Sequence, residues 1–276
     1  MPAESAVTKP TISDADYPLR VSWDGVLVDD AGFNESQPHR DDIVRRVREV
    51  LHVLLKDRAH VIEQEACSIL GISDLRDYFR RPAGFFQDHL KRYSKSRRKA
   101  PIYLPLSTES SSYTIWLYYP RLSDQTLYGC VNDYVDPKLR EIEKDLERLR
   151  GSPSTDRKTQ KHLDELVGLQ QDLKMLREQL LKIASLPYKP DQNDGVLISA
   201  APLWQLFRYR PWQTALKKCW EELNGTKHEW AHLAFAIWPN RVRERCKQDR
   251  SVALTHGLAD LYEPQQAVQD HLDHED

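Results

Sequence analysis

The chain has 276 residues, 40% of them hydrophobic and 30% charged, enough for one large domain or two ordinary ones with a real core beside a very polar surface. A net charge of −2 excludes a generally basic protein, so any strongly cationic stretch is a local feature. Sixteen Pro against ten Gly is not low-complexity composition. The longest apolar segment, residues 196–204, is too short to span a bilayer and contains Ser199 and Pro202, so no membrane partner is expected. The first five residues lack a cationic stretch leading into an apolar one, and no signal peptide is expected. Cys67, Cys130, Cys219 and Cys246 are scattered without a Cys-x-x-Cys pair, which fits reduced thiols in a cytoplasmic protein.

Residues 1–16 are polar and aperiodic and read as a disordered tail. Leu19 to Trp23 and Val26 to Val28 flank Asp24-Gly25, a strong hairpin signal. Asp41-Asp42 suit a helix N-terminus, and Ile43, Val47, Val50, Leu51 and Leu54 follow at helical spacing as a core-facing stripe. A second helix carries Ile62, Ala66, Ile69 and Leu70 and ends at Gly71, a C-cap position. Ser73 is placed to cap a short third helix through Tyr78, and residues 85–93 predict a fourth. Residues 101–106 and 113–119 are strand-like and joined by a Ser-rich turn, which predicts a second hairpin.

The middle of the chain carries heptad seams. Leu139, Ile142, Leu146 and Leu149 alternate at +3 and +4, as do Leu166, Leu169, Leu173, Leu176, Leu180 and Ile183. With the breaker Gly151-Ser152-Pro153-Ser154 between them, they predict an antiparallel coiled-coil hairpin. Its second arm, residues 157–184, spans roughly 40 Å. The first arm matches it only by starting near Ser123 and tolerating Pro137 as a kink or an N1 position, with Leu127, Val131 and Tyr134 extending the seam. Intramolecular closure across so short a breaker predicts a monomer. The end of the chain holds five of the seven tryptophans, with Trp212, Leu216, Cys219, Trp220 and Leu223 on one helical face ending at Asn224-Gly225. Pro239 opens a last helix that runs through Arg241, Arg243, Arg245, Lys247 and Arg250. Residues 257–276 hold six acids and no Lys or Arg, an acidic tail.

The chemistry concentrates before the second hairpin. Six of the nine residues from Lys91 to Lys99 are Lys or Arg, and no acid appears between Asp88 and Glu109. Cations of this density replace the counterions of a phosphate backbone, and the neighbouring rings can stack on bases. The competing reading is a solvated connector. The candidate DNA-binding residues are Lys91, Arg92, Tyr93, Lys95, Arg97, Arg98 and Lys99. Arg243, Lys247 and Arg250 form a second contact if i, i+4, i+7 spacing puts them on one helical face. His228-Glu229-Trp230-Ala231-His232 satisfies the H-E-x-x-H string of zinc peptidases. Its apolar stripe, Trp230, Leu233, Ala234 and Ile237, lies opposite the histidines, which favours surface histidines over ligands. There is no phosphate-binding glycine loop, nucleophile elbow or Asn-Pro-Pro-aromatic string, so no catalytic residue, metal or cofactor is assigned.

Several stretches together resemble one family. They are Val21-Ser22-Trp23-Asp24-Gly25-Val26, Arg76-Asp77-Tyr78-Phe79 with Phe85-Phe86, and the run from Tyr93 to Tyr103. To these add Tyr113 to Tyr119, Leu122 to Leu127, Asn193-Asp194-Gly195-Val196 and Trp230-Ala231-His232-Leu233. The chain from about Tyr17 to Gly257 looks like the C-terminal part of the large adenine-N6 DNA methyltransferases of BREX phage-exclusion systems (the PglX type) and related type IIG restriction-modification proteins. In that family the S-adenosylmethionine-binding domain and the catalytic loop lie upstream, and neither motif occurs here. The resemblance therefore implies a non-catalytic region, with DNA and a methyltransferase core or another defence subunit as partners. The expected fold is α+β and mostly α: a helical region with β-hairpins and the basic cluster (17–122), the coiled-coil hairpin (123–186), a tryptophan-rich region (187–256) and the tail (257–276). A purely structural docking module and a zinc hydrolase are the alternatives.

Overall fold

The structure, a computed structural model, describes residues 24–32, 38–95, 98–151, 156–186, 188, 190–224 and 239–263, with backbone alone for Arg98, Asn193, Arg241, Ser251 and Thr255. The strands are β1 (Val26–Asp29), β2 (Ser94–Lys95), β3 (Arg98–Lys99), β4 (Tyr103–Ser107) and β5 (Thr114–Tyr118). The helices of the first half are α1 (Ile43–Leu55), α2 (Ala59–Leu70), α3 (Leu75–Arg80), α4 (Phe85–Arg92) and α5 (Thr126–Gly129). Those of the second half are α6 (Asp136–Arg150), α7 (Arg157–Ala184), α8 (Val196–Ala200), α9 (Arg210–Asn224), α10 (Pro239–Gln248) and α11 (Arg250–Thr255). The protein is thus α+β and mostly α.

The sheet is antiparallel in the order β1–β5–β4. Its register aligns Val26 and Leu104 with Leu117, and Val28 and Leu106 with Ile115, on one face. All six of these side chains are buried. The other face carries Leu27, Trp116 and Pro105 in register, and Trp116 meets Phe85 and Phe79 at 5.4 and 6.3 Å between ring centroids. Burial on both faces explains why β5 reads Ile-Trp-Leu without polar alternation. Pro105 fits because β4 is an edge strand, where a missing N–H costs no ladder bond. The expected pairing of residues 19–23 with Val26–Val28 falls partly outside the described residues; the strand that β1 pairs with here is β5, far along the chain.

Asp42 caps α1 by accepting the Arg45 N–H at 2.8 Å, as its position in the sequence predicts. Only Ile43 and Val44 of α1 are buried, so the apolar stripe loses contact with the core toward its C-terminal end. α2 departs further from expectation. Ile69 is 79% and Leu70 40% exposed, and its buried residues are Ala59 and Cys67. The apolar spacing was right for a helix but does not identify which side finds a neighbour. Gly71 does close α2, with φ 63°. α3 is capped by Asp74 rather than Ser73, because the Asp74 carboxylate accepts the Arg76 N–H at 2.7 Å.

The long first arm of the hairpin is continuous helix from α5 through a π-helical stretch, Cys130–Val135, into α6. Pro137 has no N–H to return to an α-helical partner, and the turn ahead of it widens: the Asp136 N–H reaches back five residues to the Val131 carbonyl. The arms are antiparallel, since Asp136 pairs with Arg177 (2.7 Å) and Glu143 with Gln170 (3.4 Å). Leu139, Ile142 and Leu146 face Leu166, Leu173, Leu176 and Leu180 in a buried seam, while Leu149 and Leu169 are partly buried. Leu127, Val131 and Tyr134 continue it into the main core, which also takes in the sheet, α3, α4 and the start of α9.

A second, smaller core joins Ile198 and Ala201, Cys219 and Leu223 of α9, Val242 and Cys246 of α10, and Val252 and Ala253 of α11. The helix opened by Pro239 does not run through Arg250. It stops at Gln248, and Asp249 caps α11 through the Val252 N–H. Leu258, Leu261 and Tyr262 pack on this core, so the first residues after Gly257 belong to the fold. Among the described residues no helix is long and apolar enough to cross a membrane.

Candidate nucleic-acid interface

The site rests on a buried ion network that fixes the helices around the sheet. Asp29 ends β1 and Asp30 follows it, and both are buried. The Asp29 carboxylate accepts from Arg76 and, at 2.5 Å, from Arg80 Nε. Asp42 accepts from Arg76 at 2.7 Å and from the Asp30 N–H at 2.9 Å, beyond its capping bond. Lys138 of α6 reaches Asp30 at 2.7 Å. Burial by itself would lower the Arg76 pKa, but the hydrogen bonds and charges of Asp42 and Asp29 hold it above the ordinary arginine value. Asp24 likewise accepts the Tyr134 hydroxyl at 2.6 Å. Asp24 and Arg76 are thus part of the scaffold.

On this scaffold sits α4. Gly84 precedes it at a point where a Cβ would overlap the Tyr78 carbonyl oxygen, so only glycine lets the turn close. Phe86 is buried against Phe207 and Trp212. His89, one turn on, is also buried, and its Nε2 accepts the N–H groups of both Ile102 and Tyr103 at 3.1 Å. A nitrogen that accepts twice carries no proton, and burial pushes this imidazole down to about 4. The ring stacks on Phe85 at 5.4 Å. His89 therefore ties the end of α4 to the start of β4 across the basic run.

That run is a small hairpin rather than a plain connector. Ser94 pairs with Lys99 and Lys95 with Arg98, and the Ala100 N–H closes its base on the Tyr93 carbonyl at 3.2 Å. Lys91, Arg92, Lys95 and Lys99 are exposed, and Tyr93 is 41% exposed. Lys91 lies 3.5 Å from Asp88; no acid among the described residues pairs with Arg92, Lys95 or Lys99. Arg97 and the Arg98 side chain lie outside the described residues.

Three tyrosines gather beside the hairpin. The Tyr93 and Tyr103 rings lie 4.8 and 5.9 Å from His89, and Tyr103 meets its cross-strand partner Tyr118 at 5.3 Å. Burial first, and then the phenols of Tyr118 and Tyr93, raise the Tyr103 pKa, while Arg121 opposes them. Three phenols therefore gather beside His89, where the Tyr103 end of β4 pairs with the Tyr118 end of β5. Gly25, at φ 72°, lies beneath, where a Cβ would stand 3.0 Å from the Arg121 Cβ and 3.3 Å from that of Tyr118.

Of the predicted contacts, Lys91, Arg92, Tyr93, Lys95 and Lys99 come together here. Arg243, Lys247 and Arg250 do not form one face, because the break at Asp249 separates Arg250 from the other two. Lys247 also pairs with Glu244 at 3.0 Å, which reduces the positive charge of that patch. His89, Tyr103 and Tyr118 join the site without any local signal in the sequence. Tyr103 and Tyr118 read as strand formers, and only the pairing of β4 with β5 puts them side by side. His228, Glu229 and His232 lie outside the described residues, among which no cluster of three or more metal-ligating side chains occurs. No protein-family model and no curated protein matches the chain.

Proposed function

We propose that this chain is a DNA-binding, non-catalytic portion or subunit of an adenine-specific DNA methyltransferase acting in restriction-modification or phage defence. The observation that carries DNA binding is the basic end of α4 with its hairpin, where Arg92, Lys95 and Lys99 are exposed, have no ion-pair partner among the described residues, and are anchored through His89. Unpaired cations keep their full charge for phosphates, whereas surface pairs spend it on one another. The methyltransferase context rests on the resemblance of the stretches quoted above. Replacing Arg92, Lys95 and Lys99 by Ala is expected to weaken duplex binding and flatten the slope of log K against log salt by roughly 2–3, at about 0.9 per phosphate. Wild-type affinity and slope in that variant would show that the hairpin is not the contact.

A second reading, docking of a partner protein, draws on α2, where Val61 is 63% and Ile69 79% exposed. A methyltransferase core or another defence subunit is the partner this reading calls for. It predicts no salt-dependent DNA binding by the chain, so the same titration separates the two.

A further inference from the structure

We infer that the ligand of this site is unpaired DNA, with bases stacked on the group formed by Tyr93, Tyr103 and Tyr118. The inference rests on the DNA-binding reading and narrows it to a substrate class. Contact with a duplex backbone needs cations alone, because the bases of a duplex are stacked on each other and offer rings no free face. A single strand does offer one, and the combination of a basic track with aromatic platforms is what binds it irrespective of sequence.

The tyrosine group has the properties of a platform rather than of packing. Tyr93 is 41% exposed, and Tyr103 and Tyr118 are half-buried, so each keeps ring surface toward solvent. Four tyrosines commit their hydroxyls to the fold: Tyr78 to Asp88, Tyr119 to the Gln192 carbonyl, Tyr134 to Asp24 and Tyr188 to the Ser199 carbonyl. Among the described residues the hydroxyls of Tyr93, Tyr103 and Tyr118 have no such partner. The buried His89 ring backs both Tyr93 and Tyr103, so little conformational freedom remains to be lost on binding. Arg92, exposed at the end of α4 next to Tyr93, supplies charge for the backbone of the same strand.

The test compares fluorescent oligothymidylate of about twenty nucleotides, longer than one stacking site, with a duplex of equal length by anisotropy. Both titrations use the full chain at one salt concentration. The wild-type chain is expected to bind the single strand about tenfold more tightly than the duplex. Tyr93→Ala should weaken single-strand binding about tenfold, the order of one lost base stack, and weaken duplex binding by a clearly smaller factor. Tyr93→Trp should restore it, and Tyr118→Leu, which keeps apolar bulk, should reproduce the loss. Equal or tighter duplex binding overturns the inference, as does a Tyr93→Ala variant that loses nothing or loses both forms alike. Absence of binding to either form overturns the DNA-binding reading itself.

Discussion

Two regions of this molecule are built from the same residue types and use them in opposite ways. Around the end of β1, Asp29, Asp30, Asp42, Arg76 and Lys138 are buried and paired to one another. At the end of α4 and in the hairpin after it, Arg92, Lys95 and Lys99 stand exposed, with no acid among the described residues paired to them. A buried charge is tolerable only when compensated, and its removal strands the partner; an exposed one costs the fold almost nothing and stays available to a ligand. The contrast separates charges that hold the helices in place from charges that act outward. Composition alone counts them together.

The largest test of that contrast is Arg76→Met. It leaves the Asp29 and Asp42 carboxylates buried with their main cation gone, and a loss of about 3–5 kcal/mol is expected in chemical denaturation. A loss under about 1 kcal/mol would mean that water already compensates those acids. His89 lies between the two regimes, a buried polar group that serves the exposed hairpin. His89→Ala orphans the Ile102 and Tyr103 N–H groups and should cost about 1–3 kcal/mol. Its pH dependence has a definite sign. The folded pKa near 4 lies below the ordinary histidine value of about 6.5, so between them the unfolded chain binds more protons. The contribution of His89 is thus complete above about pH 6.5 and lost as pH falls toward 4. His89→Gln, which retains an acceptor without a titration in that range, should lose less stability than wild type on acidification; parallel curves would refute the neutral clasp. The smallest effect belongs to Lys95→Ala with Lys99→Ala. Thermal stability should stay within about 0.5 kcal/mol of wild type while DNA affinity falls. Marked destabilisation would place those lysines on the scaffold side of the comparison.

The parts of this fold that were legible in the sequence are those governed by local periodicity and caps. The second hairpin arm could be placed at about residues 157–184 from its heptads and the breaker before it, and α7 runs Arg157–Ala184 with Asp156 as its cap. The β4–β5 hairpin was equally local. What could not be read depends on distant partners. Nothing near Val26 indicates that its neighbour is Leu117, and nothing in α2 shows that Ile69 faces solvent. The basic half of the candidate site was visible as a run of cations. Of the aromatic half only Tyr93 was visible, because Tyr103 and Tyr118 join it only after α4, β4 and β5 are assembled. The helix through Arg250 failed for a local reason: Asp249 is a strong cap, and a cap in mid-pattern starts a helix anew.

The widened turn before Pro137 sets the rotational phase of everything that follows it. Each residue of a helix turns its successor by about 100°, so one residue fewer between Cys130 and Val135 would swing the whole of α6 by that angle. Lys138 would leave Asp30, and Leu139, Ile142 and Leu146 would turn out of the seam together. Proline, wide turn and ion pair therefore act as a single indexing device. Through it the length of a six-residue stretch, more than its composition, decides which face the hairpin arm presents to the rest of the protein.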